Sequence, residues 1–336
     1  MLAGQFDLCG QQEDAPSVEP KPDDYDYELD RALSSVVGIR ALIPADAFTA
    51  ETLGTERRGN GVLIRDDGLI LTIGYLITEA ETVWISHSGG RVAAGHVLGY
   101  DQETGFGLVQ ALGRLELPAL ALGSSEAVEV GERVVVGGAG GRPRSVAARI
   151  IAKQEFSGHW EYVLDEAIFT APSHPHWGGT GLIGPDGDLI GIGSLQIQQV
   201  AANPTGRAQR QAEDANMIVP IDLLKPILND MLTIGQPNRP ARPWLGLYAT
   251  EVGSSVALLG IASRGPAASA DLKAGDIVLS VAGEAVSTLA GLFRSIWALG
   301  QAGVDVPLQI HREGRTFDVT LRSSDRRRFL KGPVLH

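Results

Sequence analysis

Residues 171–192 read A-P-S-H-P-H-W-G-G-T-G-L-I-G-P-D-G-D-L-I-G-I, and no other stretch narrows the possible folds as much. A Gly-Gly turn leads into an apolar pair, a Pro-Asp-Gly turn reverses the chain, and Leu189-Ile190 resumes as a strand. A helix could not carry so many glycines, each costing about 1 kcal/mol against alanine in a helix interior. Short apolar runs between tight turns belong to antiparallel sheet. The same pattern repeats along the chain, which has 42 Gly, only 8 Phe and frequent Val, Ile and Leu. The fold class is therefore mainly β. At 336 residues the chain has room for two or three domains, each with its own core. Its 44% apolar and 20% charged residues are ordinary for a globular protein.

The net charge of −12 is uneven. Asp7, Glu13, Asp14, Glu19, Asp23, Asp24, Asp26, Glu28 and Asp30 crowd the first thirty residues against a single Lys21, so the body is only mildly acidic. That acidic, Pro-containing segment reads as a disordered tail over 1–29. No basic stripe is offered to nucleic acid, and Arg326-Arg327-Arg328 reads as part of a solvated basic tail over 326–336. One cysteine, Cys9, precludes an internal disulfide. The first twenty residues carry neither the basic start nor the apolar run of a signal peptide, and no window reaches a membrane-spanning length.

After an opening strand within 34–43, Gly59-Asn60-Gly61-Val62-Leu63-Ile64 and Leu69-Ile70-Leu71-Thr72 flank Arg65-Asp66-Asp67-Gly68, a hairpin around an Asp-Gly turn. Strands follow at 83–86 and 92–101, then at 146–153 and 161–170. The polar segment 198–214 reads as a long loop, and 223–232 as a short helix. Pro237, Arg239, Pro240, Arg242 and Pro243 make a stiff linker over 235–243.

These runs resemble the HtrA (Deg-type) chymotrypsin-like serine proteases. G-N-G-V-L-I-R-D-D-G-L-I-L-T is close to that family's G-S-G-F-I-I-D-x-D-G-Y-I-L-T, and residues 176–192 are similar to its G-N-S-G-G-P-L…D-G nucleophile segment. The resemblance implies a chymotrypsin-like double β-barrel over 30–234. It also implies a triad of His, Asp and Ser, and those positions hold Tyr75, Gly105 and Gly178. A tyrosine with a pKa near 10 is a poor base at neutral pH, and glycine has neither hydroxyl nor carboxylate. Asp101 and Glu103 lie near the acid position with no histidine to orient. The family's G-N-S becomes His176-Trp177-Gly178, which puts the oxyanion hole in doubt.

Replacement nucleophiles near the turn are Ser173 and Thr180, with His174 and His176 as bases. The same two histidines are weak candidates for a metal site; no third ligand is evident, they read better as surface residues, and no cofactor is expected.

From Trp244 onward the pattern resembles a PDZ domain over 244–325. Trp244, Leu245, Gly246, Leu247 and Tyr248 match the carboxylate-binding loop, and G-P-A-A-S-A-D-L-K-A-G-D-I-V at 265–278 matches the PDZ signature. Leu289, Leu292, Phe293, Ile296 and Trp297 recur at helical spacing within 288–299, which would be the helix walling the groove. The resemblance implies partners with C-terminal or extended peptides. It also implies a trimer to which an N-terminal aromatic segment contributes, with Tyr25 and Tyr27 in place for it. The function expected is a catalytically inactive, peptide-binding scaffold or regulator. The competing readings are an active HtrA-type endopeptidase and a metal-binding protein using His174 and His176. The compartment stays open, since relatives work in the periplasm and the sequence as written shows no export signal.

Overall fold

The computed structural model describes residues 19–87, 90–200 and 212–332. Cys9 lies outside them. The chain forms two compact units, one containing residues 19–154 and 167–237 and the other residues 155–166 and 238–332.

The first unit holds two closed six-stranded barrels. One is built from β1 (Val36–Leu42), β2 (Glu56–Arg65), β3 (Leu69–Ile73), β4 (Thr82–Ser86), β5 (Val92–Tyr100) and β6 (Phe106–Ala111). It closes because β1 pairs antiparallel with both β2 and β4. Helix α1 (Leu29–Ser34) precedes it, and the single turn α2 (Ala50–Leu53) interrupts it. The Asp-Gly hairpin falls where the sequence places it, with all five residues of β3 buried.

The second barrel uses β7 (Arg133–Gly137), β8 (Val146–Gly158), β9 (Tyr162–Ala171), β10 (Gly181–Ile183), β11 (Leu189–Val200) and β12 (Ala212–Pro220). Val134, Val136, Ile150, Ile168, Leu182 and Ile218 fill it. These β-branched and γ-branched side chains alternate inward along their strands, as a barrel interior requires. Helix α3 (Leu228–Ile234) follows.

The second unit is a six-stranded sheet of β13 (Leu247–Val252), β14 (Ser255–Ile261), β15 (Ile277–Val281), β16 (Glu284–Ala285), β17 (Asp305–Arg312) and β18 (Arg315–Arg322). Strand β13 is an edge of the sheet. Helix α4 (Leu289–Ala298) buries Leu289, Leu292, Phe293 and Ile296, and Thr288 caps it by accepting from the Gly291 N–H. Four of the five residues marked by helical spacing are thus buried, and Trp297 is partly buried. The tip of the β8–β9 hairpin, residues 155–166, belongs to this unit.

Several boundaries differ from the sequence expectation. Leu29 is only 2% exposed, and the Tyr27 ring lies against Gly187, so structure begins before residue 30. Tyr27 also meets Tyr25 at 5.5 Å between ring centroids, so this pair is engaged within the chain. The 223–232 helix is a 3-10 turn at Ile221–Leu223 and then α3. Pro226 separates the two because it lacks an N–H and disfavours helical backbone before it. Strands β11 and β12 run into the 198–214 segment, leaving 201–211 outside the described residues. The basic stretch Arg326–Phe329 is a 3-10 turn capped by Asp325, with the Phe329 ring 5.0 Å from that of Trp244. An aromatic contact thus anchors what read as a solvated tail.

Candidate functional site

Tyr75 sits on a 3-10 turn, Gly74–Leu76, that follows β3. The buried Arg57 holds this turn by donating to the Tyr75 carbonyl at 2.7 Å and to that of Thr78 at 3.0 Å. The Tyr75 hydroxyl donates to the Ser194 carbonyl at 2.9 Å. Burial raises its pKa well above the phenol range, and a hydrogen bond from the Trp177 side chain opposes this only partly. The hydroxyl points at Gly178: a Cβ built on that glycine would meet it at 2.7 Å. Gly105 lies beside them, its carbonyl accepting from the Gly74 N–H at 2.6 Å. Three positions far apart in sequence therefore meet at one place, and none offers a nucleophile, a base or a free carboxylate there.

Asp101 does not fill that gap. Its carboxylate accepts from the Thr104 N–H at 3.0 Å, the Thr104 hydroxyl at 2.9 Å and the Glu103 N–H at 3.3 Å. It is spent on closing its own loop.

The Gly-rich turn is held from inside. Asn60 donates from its backbone to the Gly178 carbonyl at 2.8 Å and from its side chain to the His176 carbonyl at 2.9 Å, while its Oδ1 accepts from the Ala139 N–H. Gly179 has φ +76° and could not carry a side chain, since a Cβ would lie 1.9 Å from the Asn60 carbonyl oxygen. Thr180 is fully buried and its hydroxyl donates to the Trp177 carbonyl at 2.8 Å, which uses it as a turn lock.

An oxyanion hole of the chymotrypsin kind uses the N–H of the nucleophile position and of the residue two before it. Here the earlier of these, the His176 N–H, donates at 3.0 Å to Nδ1 of His174. That bond fixes the tautomer: Nδ1 accepts, so Nε2 carries the proton and donates to the Arg144 carbonyl at 2.8 Å. His174 is 4% exposed, not a surface histidine, and its backbone is clamped by the Asn216 amide. Burial lowers its pKa to about 4. With both ring nitrogens engaged, His174 has no lone pair for a metal and no basicity for Ser173. His176 is exposed, with its ring 6.3 Å from that of His174. Among the described residues no three His, Cys, Asp or Glu side chains group as metal ligands do.

A second candidate site lies in the other unit. The segment entering β13 contains Gly246 at φ +80°, which lets three consecutive N–H groups converge. They converge on the carboxylate of Glu161, at the tip of the β8–β9 hairpin. Its Oε1 accepts from Gly246 at 2.7 Å, Leu247 at 2.9 Å and Leu245 at 3.2 Å, and its Oε2 accepts from Leu245 at 3.2 Å. Glu161 is 6% exposed, and burial pushes its pKa up to about 7 against the pull of these donors. Of the five residues expected to bind peptide, Leu245, Gly246 and Leu247 supply the donors. Trp244 instead bridges to Ser324 and stacks near Phe329, and Tyr248 pairs within the sheet opposite Gly260.

Two family models match the chain, a trypsin-like peptidase domain at residues 59–192 and a PDZ domain at residues 243–322. A "Probable periplasmic serine endoprotease DegP-like" of Halomonas elongata is 28% identical over 285 residues, covering 80% of this chain and 57% of that protein. The "Periplasmic serine endoprotease DegP" of Salmonella typhimurium is 27% identical over 283 residues, covering 78% and 56%. The chain thus carries a trypsin-like peptidase domain followed by a PDZ domain, and is similar to DegP-type proteins. It spans a little over half the length of these curated relatives. Among solved structures, an HtrA-type protease, AlgW with a decapeptide, matches with a TM-score of 0.51 at 19% identity, covering 91% of this chain and 98% of that one. At that identity the likeness speaks for the fold.

Within this HtrA-like chain, two residues that organise the candidate sites escape a reading by motif. Asn60 looks like one more polar residue between glycines, and its role depends on a turn more than a hundred residues away. Glu161 follows Gly158-His159-Trp160 in a hairpin turn, and its partners are backbone groups some 80 residues downstream. The only local signal was a carboxylate in a turn position where Gly or Asn is usual.

Proposed function

We propose that this HtrA/DegP-family chain is a pseudo-protease: its barrels do not cleave peptides, and it works by binding protein segments through its PDZ domain. The observation that carries this reading is the Tyr75–Gly178 contact. At the triad-equivalent positions Tyr75, Gly105 and Gly178 the hydroxyl of Tyr75 occupies the space that a serine side chain would need. Loss of one triad member already removes most of the rate, and the residue of catalysis rests on the oxyanion hole and on substrate binding. One N–H expected of that hole is directed to His174 instead. The PDZ match and three N–H groups converging on a carboxylate support peptide binding. A trimer remains part of the proposal by family likeness.

The competing reading is an active serine endopeptidase, which the names of the relatives favour. Digestion of unfolded casein by the purified chain, alongside labelling with a fluorophosphonate, separates the two. The pseudo-protease neither cleaves nor takes the label. Cleavage that a fluorophosphonate blocks, with the label on this chain, establishes the endopeptidase. The metal-binding alternative is not supported by the geometry of His174.

A further inference from the structure

A PDZ groove recognises a partner by adding the peptide as a strand to a sheet edge while a loop of N–H groups receives its terminal carboxylate. In this chain both devices are already engaged, and by the same short segment. The Glu161 carboxylate sits on the N–H groups of Leu245, Gly246 and Leu247. Two residues earlier, the His159 carbonyl accepts from the Ala249 N–H on edge strand β13 at 2.9 Å, and His159 Nδ1 donates to the Ala249 carbonyl at 2.9 Å. Val163, 8% exposed, packs into the apolar cluster that contains Leu247, Leu289 and Phe293. The hairpin thus supplies a carboxylate, a strand-like backbone contact and an apolar side chain, the three things a C-terminal peptide would bring.

Two further observations distinguish this contact from ordinary packing. Glu161 has φ +60°, a left-handed conformation that costs a β-carbon-bearing residue about 1 kcal/mol or more and usually falls to glycine or asparagine. Glutamate is also rarely so buried unless a charge partner accompanies it. Here the hydrogen bonds to its carboxylate come from the backbone N–H groups of Leu245, Gly246 and Leu247. A strained, buried carboxylate is held in place by the loop that receives it. Around it, Arg294 of α4 bridges Glu155 and Asp165 at 2.5 Å each, but all three side chains are well exposed. Such pairs hold weakly and yield to salt.

We propose that the hairpin tip 159–163 is a built-in ligand of the PDZ groove, and that a partner's free C-terminal carboxylate enters only when Glu161 leaves. This rests on the peptide-binding reading of the PDZ domain. The groove's true ligand class is then a protein C-terminus ending in an apolar residue, in competition with a tethered side-chain carboxylate. A tethered competitor acts at a high effective concentration, so the open groove binds more tightly than the intact chain does.

The test uses the full chain and its Glu161→Gly variant, which removes the carboxylate and relieves the left-handed strain, so that folding is retained. Each is titrated with a pool of random hexapeptides ending in Val, Leu or Phe, once with free C-termini and once amidated. In parallel, amide hydrogen exchange is followed at Leu245, Gly246 and Leu247. The variant is expected to capture the free-carboxylate pool at least about ten-fold more tightly than the natural chain and to ignore the amidated pool. Its three loop amides should exchange at least about ten-fold faster. Equal capture by both chains overturns the gating while leaving peptide binding intact. Unchanged exchange overturns the occupancy of the loop. No capture by either chain overturns the peptide-binding reading, and the gating with it.

Discussion

A serine introduced at position 178 would begin its side chain 2.7 Å from the Tyr75 hydroxyl, which the Ser194 carbonyl anchors. Gly178→Ser alone should therefore lower stability by about 1–3 kcal/mol through overpacking and gain no fluorophosphonate labelling. The double variant Tyr75→His with Gly178→Ser should recover the stability, as thermal denaturation of both proteins would record. His174 gives a prediction in pH. Its folded pKa of about 4 lies below the ordinary 6.5, so its stabilising contribution is complete above pH 6.5 and is lost as pH falls through 4. The loss amounts to about 3 kcal/mol at most. A His174→Gln variant should be less stable at pH 7 yet show a flatter decline in melting temperature between pH 6.5 and 4; equal slopes would refute the assignment. Which residues stand at the expected triad positions was legible in the sequence, because motif spacing assigns a residue to each. The state of His174 was not, because its partners come from Arg144, Asn216 and its own neighbour His176.

Elements carry the next layer. The Gly-rich turn between β9 and β10 has no room for a side chain at its second glycine, because Gly179 passes within contact of the Asn60 carbonyl. Gly179→Ala should cost more than about 4 kcal/mol or abolish soluble expression, since neither the positive φ nor the backbone oxygen can give way. By contrast, Thr288→Ala removes one cap hydrogen bond from α4 and should cost about 1 kcal/mol in denaturant unfolding. Strand alternation and turn residues made β3 and α4 readable to within a residue, and β2 to within three. The β8–β9 hairpin was read only as strands, because a turn's length says nothing about what its tip will touch.

In the whole molecule, two barrels and a PDZ domain meet different demands on the same chain. The second barrel is cored by Val134, Val136, Ile150 and Leu182 among others, while Tyr75, Gly178 and a neutral His174 lie at the Gly-rich turn. On the proposed pseudo-protease reading, casein should remain intact after prolonged incubation with the purified chain, and a salt titration should weaken the exposed Arg294, Arg322 and Lys273 pairs of the PDZ unit. The sequence by itself determined the β architecture, the order of the two domains and the identity of the residues at the expected catalytic positions. Those follow from local periodicity, turn chemistry and motif spacing, which act over a few residues. Only the tertiary structure decided that Tyr75 fills the space beside Gly178, that His174 is buried and proton-poor, and that Glu161 occupies the carboxylate loop. Each of these depends on groups distant in sequence being brought within hydrogen-bond range, where burial and backbone N–H direction set the chemistry.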